Sequence, residues 1–156
     1  RIQASEIMLT QTGLYALQAL LYLTGRGRSV QVSAAAMAEE LQIPPTYLAK
    51  ILQRLAREDM LVSARGPNGG YRLLKDPSEL TVAEAVTPFQ DLRTSRICLL
   101  GGPCDLVNPC TAHARRAAWN DAMLNILEET TLADLVSGAP LGPLAAAGTS
   151  TQETSI

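Results

Sequence analysis

The chain has 156 residues, 47% of them hydrophobic, so it can bury a real core and falls outside the disordered and collagen-like classes. Aromatic residues make up only 4%, which leaves Leu, Val, Ile and Ala to build that core and favours helices. The net charge of −2 hides a division: residues 26–75 carry eight Lys or Arg against four acids, and residues 76–156 carry four Arg against ten acids, as expected when one face meets a polyanion.

Residues 1–7 read as an extension, because Met8 resembles a natural start. Thr10 offers an N-cap, and Leu14, Leu17 and Leu21 recur at helical spacing until Gly25 and Gly27 end a first helix. The apolar run from Leu14 to Leu23 lacks a positive leading segment, is interrupted by Gln18, and is too short to span a bilayer. It predicts a buried helix in a cytoplasmic protein with no membrane partner. Residues 30–32 predict a short extended piece. Ser33 then caps a second helix over residues 34–41, and Gln42-Ile43-Pro44-Pro45 makes a turn. A third helix is predicted over residues 46–58, with Leu48, Ile51, Leu52 and Leu55 on one face. Residues 60–64 and 70–74 predict two strands joined through the turn-rich tip Arg65-Gly66-Pro67-Asn68-Gly69. Thr81 and Glu84 match a capping box for a helix running to about Thr87. Residues 91–109 show no period and predict a loop. A long helix from Cys110 or Thr111 to about Glu128 carries a wide apolar face at Ala118, Ala122, Met123, Ile126 and Leu127. A short helix starts at Thr130 or Thr131, and residues 138–156, rich in Gly, Ala, Pro, Ser and Thr, predict a disordered tail.

Helix, helix, tight turn, helix and hairpin, in that order, predict a mainly α fold of the winged helix-turn-helix type. Its third helix would enter the major groove of double-stranded DNA. Tyr47, Lys50, Arg54 and Arg57 form one stripe opposite the Leu/Ile face. Thr46 and Tyr47 stand where a helix start reaches bases, while Lys50 and Arg54 suit phosphates. At the wing, Arg65 can enter a narrow minor groove, and Gly66, Pro67, Asn68, Gly69 and Gly70 let the backbone lie against sugar and phosphate. Ser33 and Tyr71 complete the expected DNA-contacting set. No catalytic acid, base or nucleophile constellation occurs, so the chain does not read as an enzyme.

The three cysteines all fall between residues 98 and 110, which does not suit a disulfide framework. They read Cys98-x5-Cys104-x5-Cys110, followed by His113, the only histidine. On a helix starting near Cys110, Cys110 and His113 face the same way. Gly101 and Gly102 would let backbone N–H groups approach cluster sulfides. The set admits an iron–sulfur cluster or a Cys3His zinc site. Zinc sites usually use a tighter cysteine knuckle, which is absent here. An electron carrier and a zinc-stabilised DNA-binding or interaction module stand as alternative functions. The electron-carrier reading leaves the wing and the basic stripe unexplained.

Met8-Leu9-Thr10, Tyr15-Ala16-Leu17, residues 47–52, the stretch 61–73 with its RGPNGGYRL core, and residues 131–135 together resemble the Rrf-two family of bacterial transcription regulators. The resemblance runs from residue 8 to about 136. It implies a homodimer that binds a partly palindromic operator, with the long C-terminal helix crossing between subunits. It divides the chain into the extension 1–7, a DNA-binding domain 8–90, a cluster-binding loop 91–110, the dimerisation and short helices 111–137, and the tail 138–156. IscR-like members place a histidine three residues after the last cysteine, as His113 stands here. This implies a 2Fe–2S cluster on Cys98, Cys104, Cys110 and His113. NsrR-like members, the nearer alternative, hold a 4Fe–4S cluster with an acid just before the first-helix tyrosine. That position is Leu14 here, which cannot bind metal. IscR-like members often carry a base-discriminating acid where this chain has Ala49, so the operator sequence does not carry over.

Overall fold

The computed structural model describes residues 9–92, 105 and 107–137. It contains α1 (Gln11–Arg26), α2 (Ala34–Leu41), α3 (Pro45–Arg57), β1 (Leu61–Ala64), β2 (Gly70–Leu73), α4 (Val82–Val86), α5 (Thr111–Glu129) and α6 (Leu132–Ser137). The architecture is the mainly helical winged fold that the element order predicts. The predicted tail and the extension before Met8 lie outside the described residues.

The predicted caps form. Thr10 Oγ1 accepts from the Gly13 N–H at 3.1 Å, and Ser33 Oγ accepts from the Ala36 N–H at 3.1 Å. Thr81 and Glu84 close a capping box at the start of α4. α3 begins one residue before its predicted start, because Pro45 occupies the first turn, where a missing N–H costs nothing. Both strands are shorter than predicted, since only four residue pairs face each other, from Leu61 opposite Leu73 to Ala64 opposite Gly70.

α1 lies at the centre and packs on α3, α4 and α6, while α2 packs on α3. Leu20, Leu23, Leu48, Leu52 and Leu55 are fully buried between them. Each such side chain contributes roughly 1.5–3 kcal/mol relative to exposure. Between α2 and α3 the chain reverses at Gln42, which adopts a left-handed φ of 55° and lets the Ile43 N–H reach Ala38 O at 3.0 Å. Ile43 is thereby buried under the turn.

The short extended piece predicted before α2 does not form a strand but meets the two-stranded wing at a single antiparallel bridge. Val32 and Tyr71 exchange both backbone hydrogen bonds, at 3.0 and 2.8 Å. Gln31 Nε2 adds a bond of 3.1 Å to Gly70 O. Gly70 has a φ of 152°, and a Cβ on it would lie 2.3 Å from Val32 O. The close approach of the two backbones therefore requires glycine here.

α6 returns to the DNA-binding unit. Leu132 is completely buried, and its N–H donates to Leu80 O at 2.9 Å. Asp134 accepts from the Thr131 N–H and hydroxyl at 2.9 and 2.7 Å, and these bonds hold its carboxyl below the usual carboxylate range. α5, by contrast, buries none of its residues within the chain. Its predicted apolar face is covered only in part: Leu127 packs against the core, whereas Trp119 is 45% and Ile126 62% exposed.

Candidate nucleic-acid interface and metal centre

α3 presents two opposed faces. Leu48, Ile51, Leu52 and Leu55 are buried, while Tyr47, Lys50, Arg54 and Arg57 are exposed on the other side. The helix therefore offers solvent a stripe of one aromatic ring and three cations. Thr46 is exposed on its first turn. Arg54 Nε already pairs with Glu58 Oε1 at 3.2 Å, with both side chains at the surface. Exposed pairs of this kind are worth about 0.3–0.5 kcal/mol, so a phosphate can replace the carboxylate at little cost.

The wing stands beside this stripe. Arg65, Gly66, Pro67 and Asn68 are exposed at its tip, and the Gly69 N–H closes the turn on Gly66 O at 2.9 Å. Tyr71 is half-buried where β2 pairs with Val32. Ser33 follows Val32 directly and is exposed while it caps α2. One backbone bridge thus fixes the wing to the entrance of the helix-turn-helix. Arg28 braces the wing root through Leu74 O at 2.8 Å and Asp76 at 3.1 Å. Hydrogen bonds from the Ser78 N–H and hydroxyl, with lesser help from Arg28, hold the Asp76 carboxyl below its ordinary value.

Three contacts here escaped sequence reasoning: Gln31 on Gly70, Arg28 on the wing root, and Thr12 against Tyr47. The alternation of Gln31 between Val30 and Val32 was the only available signal, and it pointed to a strand without naming its partner.

Of the predicted metal ligands, Cys98 and Cys104 lie outside the described residues. Cys110 occupies the N-cap of α5, is exposed, and makes no capping bond with its side chain. His113 follows one turn later, its N–H on Cys110 O at 2.9 Å. Upstream, Asp105 Oδ1 accepts from the N–H groups of Val107 and Asn108 at 2.8 and 3.2 Å, which lowers its pKa and shapes the approach to Cys110. An exposed thiol at a helix N-cap, with an imidazole one turn on, fits a soft-metal centre, because sulfur and imidazole nitrogen are the ligand types such metals take. Among the described residues no three His, Cys, Asp or Glu side chains converge on one point.

A helix-turn-helix with a basic reading face and a bridged, glycine-tipped hairpin defines a winged-helix DNA-binding protein. The family profile described as "Rrf2: Iron-dependent Transcriptional regulator" matches residues 9–138. The chain belongs to the Rrf2 family of transcriptional regulators. It is 31% identical over 129 residues to the HTH-type transcriptional regulator IscR of Cronobacter sakazakii, spanning 83% of this chain and 80% of that one. It is also 31% identical over 135 residues to a putative HTH-type transcriptional regulator of Aquifex aeolicus, spanning 84% and 92%. Among solved structures, CymR of B. subtilis, titled the global cysteine regulator, superposes with a TM-score of 0.73 at 20% identity, covering 85% of this chain and 98% of that one. IscR of T. potens gives 0.69 at 20%, covering 86% and 90%. These relatives are regulators, and this chain is a DNA-binding regulator rather than an enzyme. Among the described residues no helix is long and apolar enough to cross a membrane.

Proposed function

We propose that this regulator binds its operator as a homodimer and that an iron–sulfur cluster on Cys98, Cys104, Cys110 and His113 controls the binding. The observation that carries the reading is the free thiol of Cys110 at the head of α5, one turn before His113, in a chain that also presents a basic reading helix. The 2Fe–2S form follows from the likeness to IscR-like members. When bound, such a cluster supplies a redox-sensitive cross-link whose imidazole ligand raises its potential and makes it sensitive to pH.

The protein's own residues divide the remaining work. Thr46 faces the bases, Tyr47 on the same turn is held by Tyr15 and Thr12 of α1, Lys50 and Arg54 take phosphates, and Arg65 with the Gly66–Gly70 tip enters the minor groove. Ser33 and Tyr71 hold the two elements in register. Tethering the chain at Cys110 restrains the head of α5, the helix whose uncovered Trp119 and Ile126 suit a second copy. That restraint shifts the population of dimers whose reading helices are spaced for successive major grooves.

Anaerobic purification tests this reading. The expected result is a brown dimer in sedimentation, with iron and acid-labile sulfide. His113→Ala is expected to alter its visible spectrum, and its affinity for a duplex from its own promoter is expected to differ between cluster-loaded and cluster-free forms. A colourless, iron-free protein, or a spectrum unchanged in His113→Ala, removes the cluster or its ligand set. Equal affinity of both forms removes the switch.

A further inference from the structure

Tyr47 stands on the first turn of α3, yet its side chain is engaged by the start of α1. Its ring meets Tyr15 edge-on, with centroids 5.8 Å apart and planes at 79°. Its hydroxyl hydrogen-bonds that of Thr12. The same end of α1 is gripped from the other side. Thr10, the N-cap, donates its N–H to Gln90 Oε1 at 2.6 Å, and Gln90 lies just past α4 with its own N–H on Val86 O at 3.2 Å. The crossing runs over Gly13. A Cβ there would stand 3.0 Å from Val86 Cγ1 and 3.1 Å from Gln90 Oε1, so a side chain would press on the amide that holds Thr10 and require it to give by a few tenths of an ångström.

Both hydrogen bonds lie at the surface, where water competes for their donors and acceptors. What they fix is direction: the first turn of α3 is set relative to α1, and the N-terminus of α1 relative to the end of α4. We propose that Tyr47 is a positioning residue for DNA binding, and that the Thr12–Tyr47 and Thr10–Gln90 contacts link the end of α4 to the reading helix through the head of α1. The inference rests on α3 being the DNA-reading helix. It gives that helix an input, since Gln90 precedes Cys98 by eight residues in the sequence.

The test uses the full chain and two readouts. The first is amide exchange at Tyr47 and Leu48, whose N–H groups both bond Pro44 O at 3.0 Å. The second is affinity for the promoter duplex at fixed salt. Tyr47→Phe keeps the ring and deletes the hydroxyl, Thr12→Val keeps the shape, and Gln90→Ala cuts the far end of the link. Each is expected to raise exchange at the first turn of α3, and to weaken duplex binding, by about threefold to tenfold, the range one hydrogen bond carries. The unfolding midpoint should stay near that of the parent. The double variant Thr12→Val/Tyr47→Phe should be no worse than either single one, as two ends of one contact require. Thr12→Ser should behave as the parent. Parental exchange at Tyr47 and Leu48 in Gln90→Ala, or additive effects of Thr12→Val and Tyr47→Phe, overturns the link while leaving DNA binding intact. Failure of the parent chain to bind the duplex overturns the reading role of α3, and the positioning role with it.

Discussion

Replacing Gly70 with alanine is expected to cost about 3 kcal/mol or more of stability and to abolish specific DNA binding, as measured by denaturant unfolding and gel shift. The added methyl would meet three backbone atoms: Val32 O at 2.3 Å, Val32 C at 2.5 Å and Ser33 N at 2.9 Å. None of them can turn away as a flexible side-chain end would. Relief requires breaking the paired hydrogen bonds between Val32 and Tyr71, which releases the wing from the entrance to α2. The φ of 152° adds backbone strain for any residue with a Cβ. Gly66 is the control. Its φ of 108° carries similar strain, but nothing lies within 4 Å of a Cβ there. Gly66→Ala should therefore cost only about 1 kcal/mol. Equal losses at the two glycines would mean that the close approach to Val32 is not what Gly70 secures.

Charge reversal at Lys50 and Arg65 should have the second large effect, on affinity rather than stability. A charge-assisted hydrogen bond to phosphate is worth about 1.5 kcal/mol or more, and the proposed dimer would lose two of them per substitution. Lys50→Glu or Arg65→Glu should thus weaken promoter binding about a hundredfold. Each should also reduce the steepness of the salt dependence by about two released counterions. Arg54→Glu should cost less, because Arg54 is already engaged by Glu58. Binding as tight as that of the parent in both reversals would remove α3 and the wing tip from the interface.

Most of the fold could be read from residues that act locally. Four buried positions at helical spacing mark α3, two Thr-headed capping sequences mark the starts of α1 and α4, and the glycine-rich tip marks the hairpin. Contacts made across long stretches of chain left no such mark. The Thr10–Gln90 bond spans 80 residues and the Thr12–Tyr47 bond 35, and both join polar side chains that no periodicity pairs. Val32 could be read as extended, but its partner is chosen by the shape of the packed domain. Arg54–Glu58 was within reach of the i, i+4 rule, yet Arg54 was read only as a partner for phosphate. The apolar positions of α5 were legible as well. Among the described residues only part of that face is covered: Leu127 packs against the core, and Ile126 is left exposed. At the candidate metal centre, sequence spacing and the family resemblance make the case for Cys98 and Cys104, whereas the structure adds the exposure and helix-end position of Cys110.

The bridge between Val32 and Tyr71 also limits how such a regulator can diverge. Because the hairpin is stitched to the residue just ahead of the α2 cap, a slip in the register of β2 would break both Val32–Tyr71 hydrogen bonds and free the wing from the helix-turn-helix. Innovation is confined to exchanges along one flank of α3 and at the few tip positions beyond the stitch. New target sites should therefore arise by swapping side chains on a caliper whose span the stitch holds fixed.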